Sequence, residues 1–173
     1  TGLYAISAGI GFDALVCELA LHAKLKTFLN RIGLGKLVYL ILTVKSMRAL
    51  QVQDAYIEFE GGESYELKDM VFAAAMNQPY EGGGVPMAPD AKNDDGLLSV
   101  IFVEDIPKKK MPRMLLRLLL KKHKKIQGLR LKDTKSVRIH SDTPLVVHSD
   151  GEFCGYRTDI RFAAEKGKLR ILC

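Results

Sequence analysis

Ser149-Asp150-Gly151-Glu152 sets two carboxylates two residues apart on a tight turn. If both project to one side, each charge raises the pKa of the other, and such a pair can accept a proton from an attacking hydroxyl. Asp-Gly is also the commonest pair at a hairpin tip, and on local grounds that plain reading outweighs the catalytic one. A second acidic segment, Pro89-Asp90-Ala91-Lys92-Asn93-Asp94-Asp95-Gly96-Leu97, packs three carboxylates and an amide just before an apolar run. Carboxylates joined by turned backbone carbonyls make a hard-oxygen site for Mg²⁺ or Ca²⁺. The spacing and closing glutamate of an EF-hand are missing, and an Asp-rich turn is more often only a turn.

Two glycine motifs accompany these. Gly9-Ile10-Gly11-Phe12-Asp13-Ala14 matches GxGxxA between an apolar run and a helical stretch, formally a dinucleotide fingerprint. The acidic residue expected about 20 positions further on is absent. The structural reading is therefore preferred: the glycines turn the chain and Asp13 caps the helix. Tyr80-Glu81-Gly82-Gly83-Gly84-Val85-Pro86 exposes backbone N–H groups that could cradle a phosphate; without GK[ST] it is not a Walker loop, and a plain surface loop is equally consistent. His140 and His148 flank the same hairpin and read as ordinary strand histidines. Cys154 reads as a buried structural thiol rather than a nucleophile.

The elements that must position these residues are short. Residues 2–10 predict a strand, and residues 13–30 and 34–50 two helices broken at Gly33 and Gly35. Residues 51–60 alternate, with Ala55, Ile57 and Phe59 on one face, and Gly61-Gly62 turns them into a second strand at 64–68. The continuous apolar run 70–76 predicts a buried strand, 77–96 a loop and 97–103 another strand. Residues 107–126 predict one amphipathic helix, with Met111, Met114, Leu115, Leu118 and Leu119 on its apolar face. Strands are expected at 136–140, 145–148, 152–156, 158–163 and 168–172. The pattern is mainly β (α+β): an antiparallel β-sandwich with a helical excursion near the N-terminus and one inserted amphipathic helix.

Composition limits the function classes. The chain has 173 residues, 47% hydrophobic and 27% charged, a globular balance. Three widely spaced cysteines, Cys17, Cys154 and Cys173, offer neither a disulfide framework nor a zinc site. Leu37 to Val44, the longest apolar stretch, is too short to span a bilayer. No signal peptide opens the chain, so a reducing cytoplasm is expected. Thr1 leads directly into the apolar residues Leu3 to Ile6, as in a piece excised from a longer protein. The net charge of +6 is local: residues 108–132 hold 11 Lys/Arg and no Asp/Glu, while the rest holds 15 against 20. That distribution points to a local anionic partner, such as an anionic membrane surface met by a basic amphipathic helix, and against a nucleic-acid coat. The plain alternative packs that helix on the sheet with a solvated basic back.

Taken in order, AGIGFDA, NQPYEGGGVPMAPDAKNDDGLLSV and SDGE resemble the bacterial diacylglycerol kinase family, lipid kinases with sphingosine-kinase relatives. The resemblance covers nearly the whole chain but only the C-terminal half of such a kinase; the GGDGT nucleotide loop of the N-terminal ATP-binding domain is absent. It implies that residues 1–173 form a single domain, the C-terminal half of a two-domain, ATP-dependent lipid kinase acting on a diacylglycerol-like hydroxyl. Asp150 and Glu152 then match the family's catalytic carboxylates, with Asp150 the favoured base and Glu152 coupled to it. Lys92 and Leu97 would give backbone carbonyls, and Asp95 a carboxylate, to a structural Mg²⁺. The implied partners are the lipid substrate, an anionic membrane at its inner surface, ATP held mainly by the other domain, and that domain itself. A homodimer is a possible assembly, and no nucleic acid is expected. By itself the piece should be inactive. The competing class is a non-catalytic membrane-surface or protein-binding β-domain; within the superfamily, a polyisoprenoid, a sphingoid base or NAD are alternative substrates.

Overall fold

The computed structural model describes residues 2–21, 35–82 and 84–167, with only the backbone followed over 35–40. Eight strands are described: β1 (Ser7–Gly11), β2 (Gln53–Phe59), β3 (Ser64–Met70), β4 (Phe72–Met76), β5 (Leu98–Val103), β6 (Leu129–Thr134), β7 (Ser136–Ser149) and β8 (Glu152–Ala163). The helices are α1 (Phe12–Leu21), α2 (Gly35–Ala49) and α3 (Met111–Leu119), with short 3₁₀ turns at Lys108–Lys110 and His123–Lys125. All strand pairs are antiparallel, in the order β3-β2-β7-β1-β4-β5-β6, with β8 on the other side of β7.

The long strand β7 curls this sheet into two layers. Its first half, Val137–His140, pairs with β2, and its second half, Val147–Ser149, pairs with β1. Between them the β8 ladder is interrupted from His140 to Leu145. Pro144 has no N–H to give there, and Ser141 Oγ instead donates to Thr143 O at 2.6 Å. Side chains from both halves meet inside: Phe102 of β5 lies 6.0 Å from Phe59 of β2 and 5.7 Å from Tyr65 of β3, between ring centroids. Ala8, Ile10, Ala55, Ile57, Ala73, Ala75, Val100, Ile139 and Val147 complete this interior. The mainly β, sandwich-like expectation holds.

The alternate residues of β4 and β5 face the other way. Phe72, Ala74, Met76, Ile101 and Val103 form a second core covered by Met111, Met114 and Leu118 of α3 and by Met87, Ala88 and Ala91 of the β4–β5 connection. Two buried faces explain why these strands read as unbroken apolar runs, whereas β2 buries only Ala55, Ile57 and Phe59. Each of the three buried α3 side chains contributes about 1.5–3 kcal/mol.

Several boundaries differ from expectation. The first strand starts only at Ser7. The first helix is described to Leu21; residues 22–34 and 168–172, with the rest of that helix and the last expected strand, lie outside the described residues. The single helix expected over 107–126 is broken: its α-helical part stops at Leu119, and Lys121 turns left-handed at φ 55°. Leu119, expected on the apolar face, is half-exposed, and Cys154, expected to be buried, is exposed on β8. β6 was not anticipated. It ends the strand order, and charged Arg130, Lys132 and Asp133 interrupt its apolar residues, as suits a sheet edge. The expected breaks within 136–148 and 152–163 are bends in continuous strands.

Candidate active site

The turn joining β7 to β8 carries Asp150 and Glu152. Asp150 and Gly151 have φ 48° and 82°, both left-handed, and Ser149 pairs with Glu152. Two left-handed residues match the twist of the flanking strands, which is why Asp-Gly serves here. The Asp150 carboxylate accepts three backbone N–H groups from the segment entering β1: Ala5 at 2.8 Å and Ile6 at 2.8 Å, with Ser7 at 3.0 Å. Its own N–H donates to Ser7 O at 2.8 Å. Burial alone would raise its pKa, but these amides, with His148 nearby, hold the carboxyl below its ordinary value. The mutual raising expected of Asp150 and Glu152 is thus not what Asp150 shows; the charge acting on it is that of a histidine. Among the described residues no hydrogen bond or ion pair reaches the Glu152 carboxylate, and the residue is exposed.

Behind the turn lies a cluster that the sequence did not suggest. His148, fully buried, sits two residues before Asp150 and opposite Gly9 on β1. Its Nε2 lies 3.1 Å from Asp13 Oδ2 and 3.3 Å from Glu81 Oε1. Ser7 Oγ donates to the same Glu81 oxygen at 2.5 Å. A Cβ on Gly9 would fall 2.5 Å from Asp13 Oδ2 and 2.8 Å from His148 Nε2, so only glycine leaves room for their contact. Gly11, at φ 89° and with Val71 O 2.6 Å from where its Cβ would be, turns the chain into α1. The structural reading of GxGxxA therefore stands for the glycines, whereas Asp13, expected to cap the helix, is its second residue. Besides accepting the Ala14 N–H at 2.7 Å within the first helical turn, Asp13 faces the histidine.

The electrostatics of the cluster follow from this packing. Burial works against a charged imidazole at His148, yet Asp13, Glu81 and Asp150 lift its pKa to about 9. Burial and the nearby Asp13 charge raise that of Glu81. Glu81 belongs to a small hairpin closed by bonds between the Glu81 and Val85 backbones. Lys121 Nζ donates to Tyr80 Oη at 2.9 Å, and His123 Nε2 lies 2.8 Å from Pro86 O, so the glycine loop is held from the basic segment as well. The expectation of an ordinary strand histidine fits His140, whose ring stacks on Tyr56 with centroids 5.0 Å apart; it does not fit His148.

Lys92, Asp95 and Leu97 fall together in the connection between β4 and β5. Asp95 Oδ1 accepts the Leu97 N–H at 2.8 Å, and both Lys92 and Asp95 are exposed. The donor set offered there, one carboxylate and two main-chain carbonyls, is all hard oxygen and so fits Mg²⁺ in kind. Neither carbonyl is taken by a turn or cap hydrogen bond among the described residues.

On the far side of the second core, α2 and α3 border an apolar groove of about 440 Å³ lined by Val44, Met47, Pro112, Leu115, Leu116 and Leu119, with Arg48 and Lys108 at its rim. Among the described residues no helix is long and apolar enough to cross a membrane.

A two-layer antiparallel β domain with helices over one face and an acidic hairpin turn at one end defines a recognisable class. The chain belongs to the family described as the YegS C-terminal NAD kinase beta sandwich-like domain, whose model matches residues 6–173. It is 29% identical over 163 residues to the Bacillus subtilis (strain 168) protein named "Putative lipid kinase YtlR", covering 94% of this chain and 52% of that protein. In fold it resembles a crystal structure of "a putative diacylglycerol kinase" from Bacillus anthracis str. Sterne, with TM-score 0.62, 20% identity, and 95% and 51% of the two chains covered. A structure of "a diacylglycerol kinases" from the same organism gives TM-score 0.54 at 15% identity, covering 94% and 47%. The chain spans about half the length of these relatives.

Proposed function

We propose that this chain is the acceptor-side lobe of an ATP-dependent lipid kinase, with a preceding lobe delivering the nucleotide across the Ser149–Glu152 turn. The observation that carries the reading is the division of labour at that turn: Asp150 is locked into three backbone amides, while the Glu152 carboxylate stands exposed with no described partner. Sequence resemblance favours Asp150 as base, but a carboxylate depressed in pKa and saturated with N–H donors is a poor proton acceptor. Glu152 is the better candidate, with Asp150 holding the turn in place.

In this mechanism a diacylglycerol-like hydroxyl lies against Glu152. The hydroxyl O–H bond breaks to the carboxylate as its oxygen forms a bond to the γ-phosphorus of ATP, and the bond from that phosphorus to the β-phosphate oxygen breaks, releasing ADP. The proton then passes to solvent. Most of the rate enhancement comes from positioning and charge stabilisation. Lys92, Asp95 and Leu97 would hold a Mg²⁺, which would order their loop and supply positive charge there.

The partner surface follows from the groove beside α3. Leu116, Leu119 and Leu120 are all about half-exposed, at 55%, 50% and 53%, among the lysines of the basic segment. Such a surface suits an anionic leaflet, which would present the lipid. The same observation supports the second reading, a membrane-surface domain with no catalysis.

Lipid phosphorylation by a two-lobe protein carrying this chain separates the two readings. Glu152→Gln should lower kcat by on the order of 10² or more without loss of vesicle binding. Near-normal kcat would remove Glu152 from the mechanism, and an inactive two-lobe parent that still binds anionic vesicles would favour the non-catalytic reading.

A further inference from the structure

The cluster of Asp13, Glu81 and His148 lies outside the turn, and the proposed proton transfer does not use it. It brings together three distant parts of the chain: the first turn of α1, the glycine hairpin at 81–85 and the last residues of β7. Ser7 links it to the turn. That residue is fully buried, donates Oγ to Glu81 and its N–H to Asp150, and accepts the Asp150 N–H at its carbonyl. The chain of contacts is continuous from the imidazole to the carboxylate that anchors the turn.

We infer that His148 is a positioning residue for the acidic turn, holding Asp13 and Glu81 together behind Ser7 so that the Ala5–Ser7 amides stay aimed at Asp150. This rests on the reading of the turn as the proton-accepting site. Three features favour it over a purely structural histidine. His148 Nδ1, like that of His140, is buried with no partner among the described residues, but the His148 Nε2 meets two carboxylates. All the ring's described polar contacts therefore lie on the carboxylate side. The residue opposite is a glycine whose Cβ would collide with both members of the pair. And Glu81 sits on a loop also tied down by Lys121 and His123, so the cluster receives a restrained ligand rather than a passing side chain.

The charged groups facing His148 are Asp13 from α1, Glu81 from the hairpin and Asp150 from the turn, all acidic. A charged ring is therefore the form that holds them together, and its loss at alkaline pH should loosen the Ser7 segment. A neutral ring would leave Asp13 and Glu81 facing each other across an uncharged bridge.

The test uses this 173-residue chain and NMR of ring and amide nitrogens. The His148 ring should titrate with a midpoint well above the ordinary imidazole value of 6.5, and the Ala5, Ile6 and Ser7 amides should shift with the same midpoint. Glu81→Gln and, separately, Asp13→Asn should lower that midpoint by about one unit or more, with the amides following. A His148 midpoint in the ordinary range, amides indifferent to it, or a ring that changes only when Zn²⁺ is added would each overturn the proposal. In a two-lobe protein, Glu81→Gln should lower kcat about tenfold at constant KM and move the alkaline limb of the pH profile to lower pH. If the two-lobe protein phosphorylates no lipid, the kinase reading fails while the NMR outcome still decides the role of His148.

Discussion

His140 and His148 lie eight positions apart on one strand, so alternation puts both on the same nominal face. Yet one is half-buried and stacked on an exposed tyrosine, and the other is sealed between two carboxylates. The strand itself does not make the difference. In its first half β7 borders β2, whose Tyr56 offers a ring; in its second half it borders β1, where Gly9 offers an empty space into which Asp13 reaches. What a side chain becomes on a shared strand is set by the neighbour that crosses it, and a glycine opposite is an invitation to a third residue.

The largest effect should come from removing the sealed ring. His148→Ala leaves Asp13 and Glu81 mostly buried with no opposite charge between them, and should cost about 3–5 kcal/mol, read from urea unfolding. The pH dependence comes next. His148 has its pKa raised from 6.5 to about 9 in the folded chain, so its contribution is fully present below pH 6.5 and disappears as pH rises through 9. The unfolding free energy should fall over that window by on the order of 3 kcal/mol or less, taking the thermal midpoint down with it, and the slope should flatten in a His148 variant but persist in His140→Gln. At the acid end the sign reverses: Asp150 is held low, so its contribution is present above the usual carboxylate range and lost as pH falls below it.

Gly9→Ala forces a methyl to within 2.5 Å of Asp13 Oδ2 and 3.0 Å of Ala73 O. A cost of about 1–3 kcal/mol is expected from such overpacking, together with a lowered His148 midpoint. His140→Ala is the smallest change. It removes a stack on a residue that is 43% exposed and should cost under about 1 kcal/mol. If His140→Ala matched His148→Ala in cost, the contrast between the two halves of β7 would be without energetic content.

Periodicity made much of the fold legible. Ala55, Ile57 and Phe59 announce a one-sided strand, and the runs ending at Met76 and Val103 announce strands buried on both faces, because each residue type reports its own burial. β6 was hidden because an edge strand carries charge, and the end of α3 because Lys121 has no special chemistry to mark a left-handed turn. At the site, the Asp-Gly turn was legible from its two residues alone. Asp13, Glu81 and His148 were not, being 68 and 67 positions apart in succession; only the glycine at position 9 hinted at a crowded neighbour, and a single glycine has many explanations. Which carboxylate faces the segment at 5–7 depends on the left-handed backbone at Asp150, and that is a property of the folded turn.

The kinked strand β7 is a member of both layers, lending its first half to one and its second half to the other, while β8 pairs with both halves. Neither layer can therefore melt and leave its companion standing. Heat or urea should meet one cooperative transition seen identically by backbone and aromatic probes, and the acidic turn, lying at the very end of that shared strand, should keep its shape until the entire molecule lets go.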